Sequence, residues 1–192
     1  MKIKKAHFVT GIVKGNEHWN PEVPQVAFYG RSNVGKSSSV NALLNNGGLA
    51  KVSGMPGKTK EVNLFNINDN LYFLDLPGYG FARGSKQDKQ KLQDLILWFI
   101  ADTKVPNRTH VMVLDAKVGL TELDKSTLDF LYRTNERIIL LVNKIDKLNQ
   151  KETSKCFQNI QTEIAGVVEL LPFSAKTKKG VNEFWKLIEQ KN

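Results

Sequence analysis

The sequence predicts a doubly wound α/β fold: a six-stranded, mostly parallel sheet with one antiparallel edge strand and helices on both faces. Three observations predict it. From Val23 onward, short apolar runs alternate with amphipathic stretches at helical spacing. Two of the runs, residues 62–67 and 71–74, are parted only by Asn68-Asp69-Asn70, a hairpin composition. The run 138–142 is apolar throughout, as a strand covered on both faces should be.

The elements follow in order. Residues 1–22 read as an N-terminal extension, in which His7-Phe8-Val9-Thr10 has the composition of a short strand before Gly, Asn and Pro turn signals. Residues 23–192 form one domain, long enough to bury a substantial core without staples. Its first strand is Val26-Ala27-Phe28-Tyr29, and the helix after it, residues 38–46, carries Val40, Leu43 and Leu44 on one face and stops at Gly47-Gly48. The hairpin comes next. Ser85 with Asp88 reads as a capping box opening a helix whose Leu92, Leu95, Ile96 and Phe99 share a face. A buried strand at 111–114, a helix opened by Thr121 with Asp124 and reaching about Tyr132, and the strand 138–142 follow. A helix at 149–164, a last strand at 167–171 and a helix with Val181, Phe184, Trp185 and Ile188 on one side complete the chain.

Composition excludes several classes. The single cysteine, Cys156, allows no intrachain disulfide, which fits a reducing cytosol. His7, His18 and His110 are scattered with no Cys or carboxylate at ligand spacing, which argues against a His-based metal centre. No apolar segment follows Met1-Lys2-Ile3-Lys4-Lys5 as a signal peptide requires, and the apolar run 95–101 is far too short to span a bilayer. A soluble, cytoplasmic protein is expected. The net charge of +9, from 28 Lys and Arg against 19 Asp and Glu, suggests a polyanionic partner such as nucleic acid, although a basic surface also serves solubility alone.

The chemistry begins at Gly30-Arg31-Ser32-Asn33-Val34-Gly35-Lys36-Ser37, which fits the phosphate-binding loop and stands between a strand and a helix. Glycine at 30 and 35 allows the backbone to curl its N–H groups around a phosphate at the helix N-terminus. Lys36 would reach the β- and γ-phosphates, and the Ser37 hydroxyl would ligate Mg²⁺. Asp75-Leu76-Pro77-Gly78 follows the strand 71–74: Asp75 can hold Mg²⁺ through water, and the Gly78 N–H can meet a γ-phosphate. Between them, residues 51–60 read as a mobile loop in which Thr59 is placed to offer Mg²⁺ a second hydroxyl. Asn143-Lys144-Ile145-Asp146 selects the base. A carboxylate accepts from guanine N1–H and the 2-amino group, whereas adenine offers it no donor there. Asn143 would brace the loop and the Lys144 stem would lie along the base. Ser174-Ala175-Lys176 follows the last strand, and the Ala175 N–H could donate to guanine O6.

These residues, with Ser38 after the phosphate loop, Pro56-Gly57-Lys58-Thr59 in the middle loop and Tyr79-Gly80 after the Asp motif, resemble the EngB (YihA/YsxC) family of bacterial GTPases over nearly the whole chain. The resemblance implies a Ras-like P-loop GTPase domain that binds GTP and GDP, with Ser37, Thr59 and Asp75 around Mg²⁺. It also implies a role in assembly of the large ribosomal subunit and in normal growth and cell division. By the same match, nucleotide contacts extend from Gly30 to Ser38, and through Gly57, Lys58, Thr59, Lys60 and Glu61, Asp75 to Gly78, Asn143, Lys144, Asp146, and Ser174 to Lys176. The family carries Thr where Asn143 stands, but Asn is usual among GTPases at large.

The reaction is expected to be attack of water on the γ-phosphate, with Lys36, Thr59 and Asn33 as the catalytic groups. Tyr79 occupies the place of the water-orienting Gln of Ras-like enzymes, so slow hydrolysis is expected; Arg83 is an open candidate for an arginine finger. In related GTPases an Asn at the position of Asn33 helps hold K⁺ beside the phosphates; a turn-stabilising hydrogen bond is the alternative. Lys51, Lys58 and Lys60, with Arg83, Lys86, Lys89 and Lys91, would face rRNA. The expected partner is the large ribosomal subunit and its rRNA, with no DNA, no membrane and no second copy. A P-loop ATPase or nucleotide kinase, which Asp146 argues against, and an RNA-binding protein with a non-hydrolysing nucleotide domain stand as the alternatives.

Overall fold

The computed structural model describes residues 2–14, 20, 22–50, 61–80, 86–101, 103, 105, 107–164 and 168–190. Seven strands, β1 (Ala6–Ile12), β2 (Gln25–Tyr29), β3 (Val62–Ile67), β4 (Leu71–Asp75), β5 (Arg108–Asp115), β6 (Arg137–Asn143) and β7 (Glu169–Pro172), form one sheet in the order β1-β3-β4-β2-β5-β6-β7. β2 pairs in parallel with β4 and β5, β6 pairs in parallel with β5 and β7, and β3 pairs antiparallel with β4. The expected count of six strands is corrected to seven among the described residues. The N-terminal segment supplies the extra one, since β1 pairs antiparallel with β3 and makes the antiparallel edge two strands deep. Asn68 holds it there: its side chain accepts from the Lys4 and Lys5 N–H groups at 2.8 and 3.0 Å and donates to Lys2 O. Asn68 and Asp69, with φ of 53° and 58°, make the tight turn between β3 and β4, as two left-handed residues in a hairpin should.

Alternation along the central strands sorts the core into two layers. Ala27 and Tyr29 of β2, Met112 and Leu114 of β5, and Leu140 and Val142 of β6 face one side. There they meet Ile96 and Phe99 of α2 (Lys86–Ala101), Leu128 and Leu131 of α3 (Glu122–Tyr132) and Ile160 of α4 (Gln150–Glu163). Phe28, Val113 and Leu141 face the other side, against Val40 and Leu43 of α1 (Lys36–Leu43) and Phe184 and Trp185 of α5 (Val181–Glu189). Helices therefore cover both faces, as expected. Trp185 stacks on Phe73 with ring centroids 5.5 Å apart, and its indole N–H donates to Leu43 O at 3.1 Å, tying α5 to α1. The expected cap at Ser85 and the start of the last strand at Val167 lie outside the described residues. The helix after the phosphate loop ends three residues earlier than expected, because Asn45 takes φ 50° just past its C-cap.

β2 is the point where the strand order reverses: the chain leaves it toward β4 on one side and β5 on the other. Ligands of open α/β sheets bind at such a crevice, beyond the carboxyl ends of the strands.

His110 of β5 is fully buried, with Nδ1 3.0 Å from the Tyr29 hydroxyl and Nε2 2.5 Å from Glu136. Burial lowers its pKa from the usual 6.5, although Glu136 pulls the other way. The folded protein thus resists a proton that the unfolded chain accepts, so this contribution to stability is complete above about pH 6.5 and is lost as the pH falls below it. In urea unfolding at a series of pH values, His110→Gln is expected to flatten the decline in stability on the acid side of pH 6.5.

Candidate functional site

The ends of β2, β4, β5, β6 and β7 deliver every part of the site that the structure describes. After β2 the chain turns through Gly30 to Gly35 into α1. Gly35 is the N-cap at φ 95°, and a Cβ there would run into the Asn143 side-chain amide, so only glycine lets the loop close against β6. Asn33 also takes a left-handed φ of 69°; its side chain is exposed and makes no hydrogen bond among the described residues.

Parallel pairing sets Phe28 of β2 beside Asp75, the last residue of β4. Asp75 therefore meets the first turn of α1. It is ion-paired with Lys36 and accepts from the Ser37 hydroxyl at 2.9 Å. Lys36 and Asp75 are 8% and 3% exposed, and two such charges are tolerable only as a pair. Leu76 and Pro77 are buried, and Gly78 lies on the phosphate loop, its carbonyl accepting from the Ser32 hydroxyl at 3.3 Å. Arg31 turns its guanidinium away from the loop toward Asp124, at 2.9 Å. Ser38 is half-buried in the first turn of α1.

A second lattice surrounds Asn143, the last residue of β6 and nearly fully buried. Its amide donates to Val34 O in the phosphate loop at 3.0 Å and its carbonyl accepts from the Ala175 N–H at 3.0 Å. One side chain thus joins the loops after β2, β6 and β7. Lys144, at φ 67°, sends its ammonium to Asn33 O and to Asp115 Oδ2, both at 2.7 Å. Asp146 stands exposed in the short 3₁₀ turn Ile145–Lys147, with Oδ1 accepting from the buried Ser174 hydroxyl at 2.6 Å. Ser174 in turn accepts from the Thr177 N–H at 3.1 Å, and Lys176 is exposed beside it.

The structure thus brings together Gly30 to Ser38, Asp75 to Gly78, Asn143, Lys144, Asp146 and Ser174 to Lys176. Glu61 is not among them; its carboxylate rests against Gly11 of β1, three strands out from β2. Lys51, Gly57, Lys58, Thr59, Lys60 and Arg83 lie outside the described residues. Sequence reasoning missed Asp115, although it ends an apolar strand as Asp75 does, and that shared position was the signal. The spacing of Thr121 and Asp124 shows Asp124 as a helix cap only.

Several known proteins resemble this chain. Residues 25–144 match the family described as 50S ribosome-binding GTPase, and residues 107–191 match the elongation factor Tu GTP binding domain. The probable GTP-binding protein EngB of Lachnospira eligens is 36% identical over 193 residues, spanning 98% of this chain and 90% of that protein. Its counterpart in Petrotoga mobilis is 37% identical over 190 residues, spanning 98% and 96%. The crystal structure of a probable GTP-binding protein EngB superposes with a TM-score of 0.66 at 26% identity, over 87% of this chain and 100% of that one. Era in complex with MgGDPNP and nucleotides 1506–1542 of 16S ribosomal RNA superposes with a TM-score of 0.71 at 25% identity, over 87% and 56%.

Asn143→Ala would leave Val34 O and the Ala175 N–H without their partner. A loss of about 1–3 kcal/mol is expected in urea unfolding of the nucleotide-free protein.

Proposed function

The chain belongs to the EngB family of GTP-binding proteins and is a GTP-hydrolysing enzyme; from that premise we propose that it is a nucleotide-dependent switch in assembly of the large ribosomal subunit. One observation carries the GTP site: Asp146 stands exposed with one oxygen on Ser174, beside the Asn143 lattice that joins the phosphate loop to the β7 loop. Its second oxygen accepts no hydrogen bond among the described residues, and guanine presents two donors side by side. The Ala175 N–H, held by Asn143 Oδ1 in the structure, would be shared with guanine O6. The Lys144 stem, fixed between Asn33 and Asp115, would lie along the base.

On the phosphate side, Gly30 to Ser38 supply N–H groups, and Lys36 exchanges Asp75 for the β- and γ-phosphates. Mg²⁺ fits the donor set, because Ser37 and Asp75 already converge as one hydroxyl and one carboxylate, the hard oxygens that ion takes. Among the described residues no three His, Cys, Asp or Glu side chains cluster as a metal site, so the phosphates themselves would complete its shell. Ser37, Asp75 and Thr59 would hold the ion, which when bound offsets charge on the β- and γ-oxygens. Gly57 to Lys60 would contact the nucleotide from the middle loop. Lys36 stabilises charge as the γ-phosphate leaves, and the Gly78 N–H reads that phosphate. Tyr79 cannot orient the attacking water, since its hydroxyl is committed to Asp124 at 2.9 Å, and slow hydrolysis follows. The exposed Asn33 side chain is available to hold K⁺ beside the phosphates, which would make hydrolysis faster in K⁺ than in Na⁺ and make Asn33→Ala equal in both.

The large-subunit part of the reading rests on the family described as 50S ribosome-binding GTPase, and an rRNA partner in general is supported by Era with its 16S rRNA fragment and by a net charge of +9. rRNA of the large subunit would be the partner, met by a cytoplasmic monomer, with a consequence for cell division. Among the described residues no helix is long and apolar enough to cross a membrane.

Asp146→Asn would present a donor where guanine has its 2-amino group, and would match the 2-carbonyl of xanthine instead. GTP affinity is expected to fall about a hundredfold or more while XTP affinity rises, in competition binding. Unchanged base preference would defeat the GTP site. Neutralising Lys51, Lys58 and Lys60 together is expected to weaken binding to large subunits. The slope of log affinity against log salt should fall by about 0.7–0.9 for each phosphate that is no longer neutralised.

A further inference from the structure

Beside the phosphate loop lies a fully buried carboxylate that the reaction above does not use. Asp124 sits in the first turn of α3. Its Oδ2 accepts from the Thr121 N–H at 3.0 Å and from the Thr121 hydroxyl at 2.7 Å, which completes the helix cap. A cap needs nothing more. Yet Oδ2 also accepts from Arg31 Nε at 2.9 Å, and Oδ1 accepts from the Tyr79 hydroxyl at 2.9 Å. Arg31 belongs to the phosphate loop, and Tyr79 follows the Asp75-Leu76-Pro77-Gly78 motif.

The backbone follows these side chains. The Ser32 N–H donates to Tyr79 O at 2.9 Å, the Tyr79 N–H donates to Gly30 O at 3.3 Å, and the Ser32 hydroxyl donates to Gly78 O. Gly78 and Tyr79 are thus laid along the phosphate loop as a strap. Gly80 then turns at φ 73°, where a Cβ would stand 2.9 Å from Leu123 of α3 and 3.6 Å from Arg31. Burial first, and the neighbouring carboxylate second, raise the Tyr79 pKa well above 10, so the hydroxyl remains a donor. Removing either donor leaves buried negative charge undercompensated, so strap, loop and helix hold together or release together.

We infer that Asp124 is a positioning residue for γ-phosphate recognition: it clamps the strap to Arg31 so that Gly78 stays against the phosphate loop. The inference rests on the proposed role of the Gly78 N–H.

Tyr79→Phe removes the hydroxyl and leaves the helix cap intact; Asp124→Asn removes the charge and keeps the shape. Affinities of the full chain for GDP and for a non-hydrolysable GTP analogue are measured for each variant and for the pair, with the thermal midpoint. Each single variant is expected to lose about tenfold in analogue affinity while GDP affinity stays within about twofold, and the pair to lose no more than the larger single effect. Equal losses for the two nucleotides, no loss, or additive losses in the pair would overturn the clamp. Gly78→Ala separates this from the reading beneath it. If Gly78→Ala leaves the ratio of analogue to GDP affinity unchanged, the γ-phosphate reading fails and the clamp with it. If it lowers the ratio while the Tyr79 and Asp124 variants do not, only the clamp is wrong.

Discussion

The buried pair of Lys36 and Asp75, joined by the Ser37 hydroxyl, is the interaction on which the rest of the architecture depends. A lysine and a carboxylate this deep must each have a partner, because an unpaired buried charge is destabilising by several kcal/mol. The partner comes from another strand, so β4 must end beside β2 in register, as the pairing of Phe28 with Asp75 achieves. Beneath that register, Phe28 meets Phe73 and Phe184, and Trp185 stacks on Phe73. The aromatic layer therefore fixes the floor under the phosphate loop. The same atoms that satisfy each other here are those that a phosphate and a divalent cation would engage, so folding and binding draw on one set of charges.

On the other flank, Asn143 does for the proposed base side what Asp75 does for the proposed phosphate side. It reaches Val34 and Ala175 at once, and Gly35 exists as glycine partly because the Asn143 amide fills the space a side chain would need. The phosphate loop and the loops after β6 and β7 are consequently joined through one side chain. The strap of Gly78 and Tyr79 is laid along the phosphate loop by backbone hydrogen bonds and fixed further by Asp124 of α3, a side-chain contact that can be altered without dismantling the pocket.

Much of this is legible in the sequence, for a physical reason. Strand, glycine-rich loop and helix are local signals, so Gly30 to Ser37, Asp75 and Asn143 to Asp146 stand at strand ends that the residue pattern alone predicts. β1 is less legible: it is an edge strand with Phe8 and Val9 about half exposed and a register shift between Phe8 and Thr10, so its alternation is blurred. Asp124 is legible only in part. The Thr121 and Asp124 pattern explains it locally as a cap, and nothing in a linear reading connects a helix cap with Arg31 and Tyr79. Asp115 and Lys144 form a similar long-range pair, 2.7 Å apart, invisible to spacing rules. Glu61 is carried by its neighbours in the middle-loop motif, yet the antiparallel course of β3 turns it toward β1.

The central claim is that the nucleotide held by this site decides whether the protein engages the large ribosomal subunit. Co-sedimentation of the full chain with purified subunits, in GDP and in a non-hydrolysable GTP analogue at one salt concentration, tests it most directly. The account predicts strong association with large subunits in the analogue, weak association in GDP, and none with small subunits in either. Equal association in both nucleotide states would contradict it.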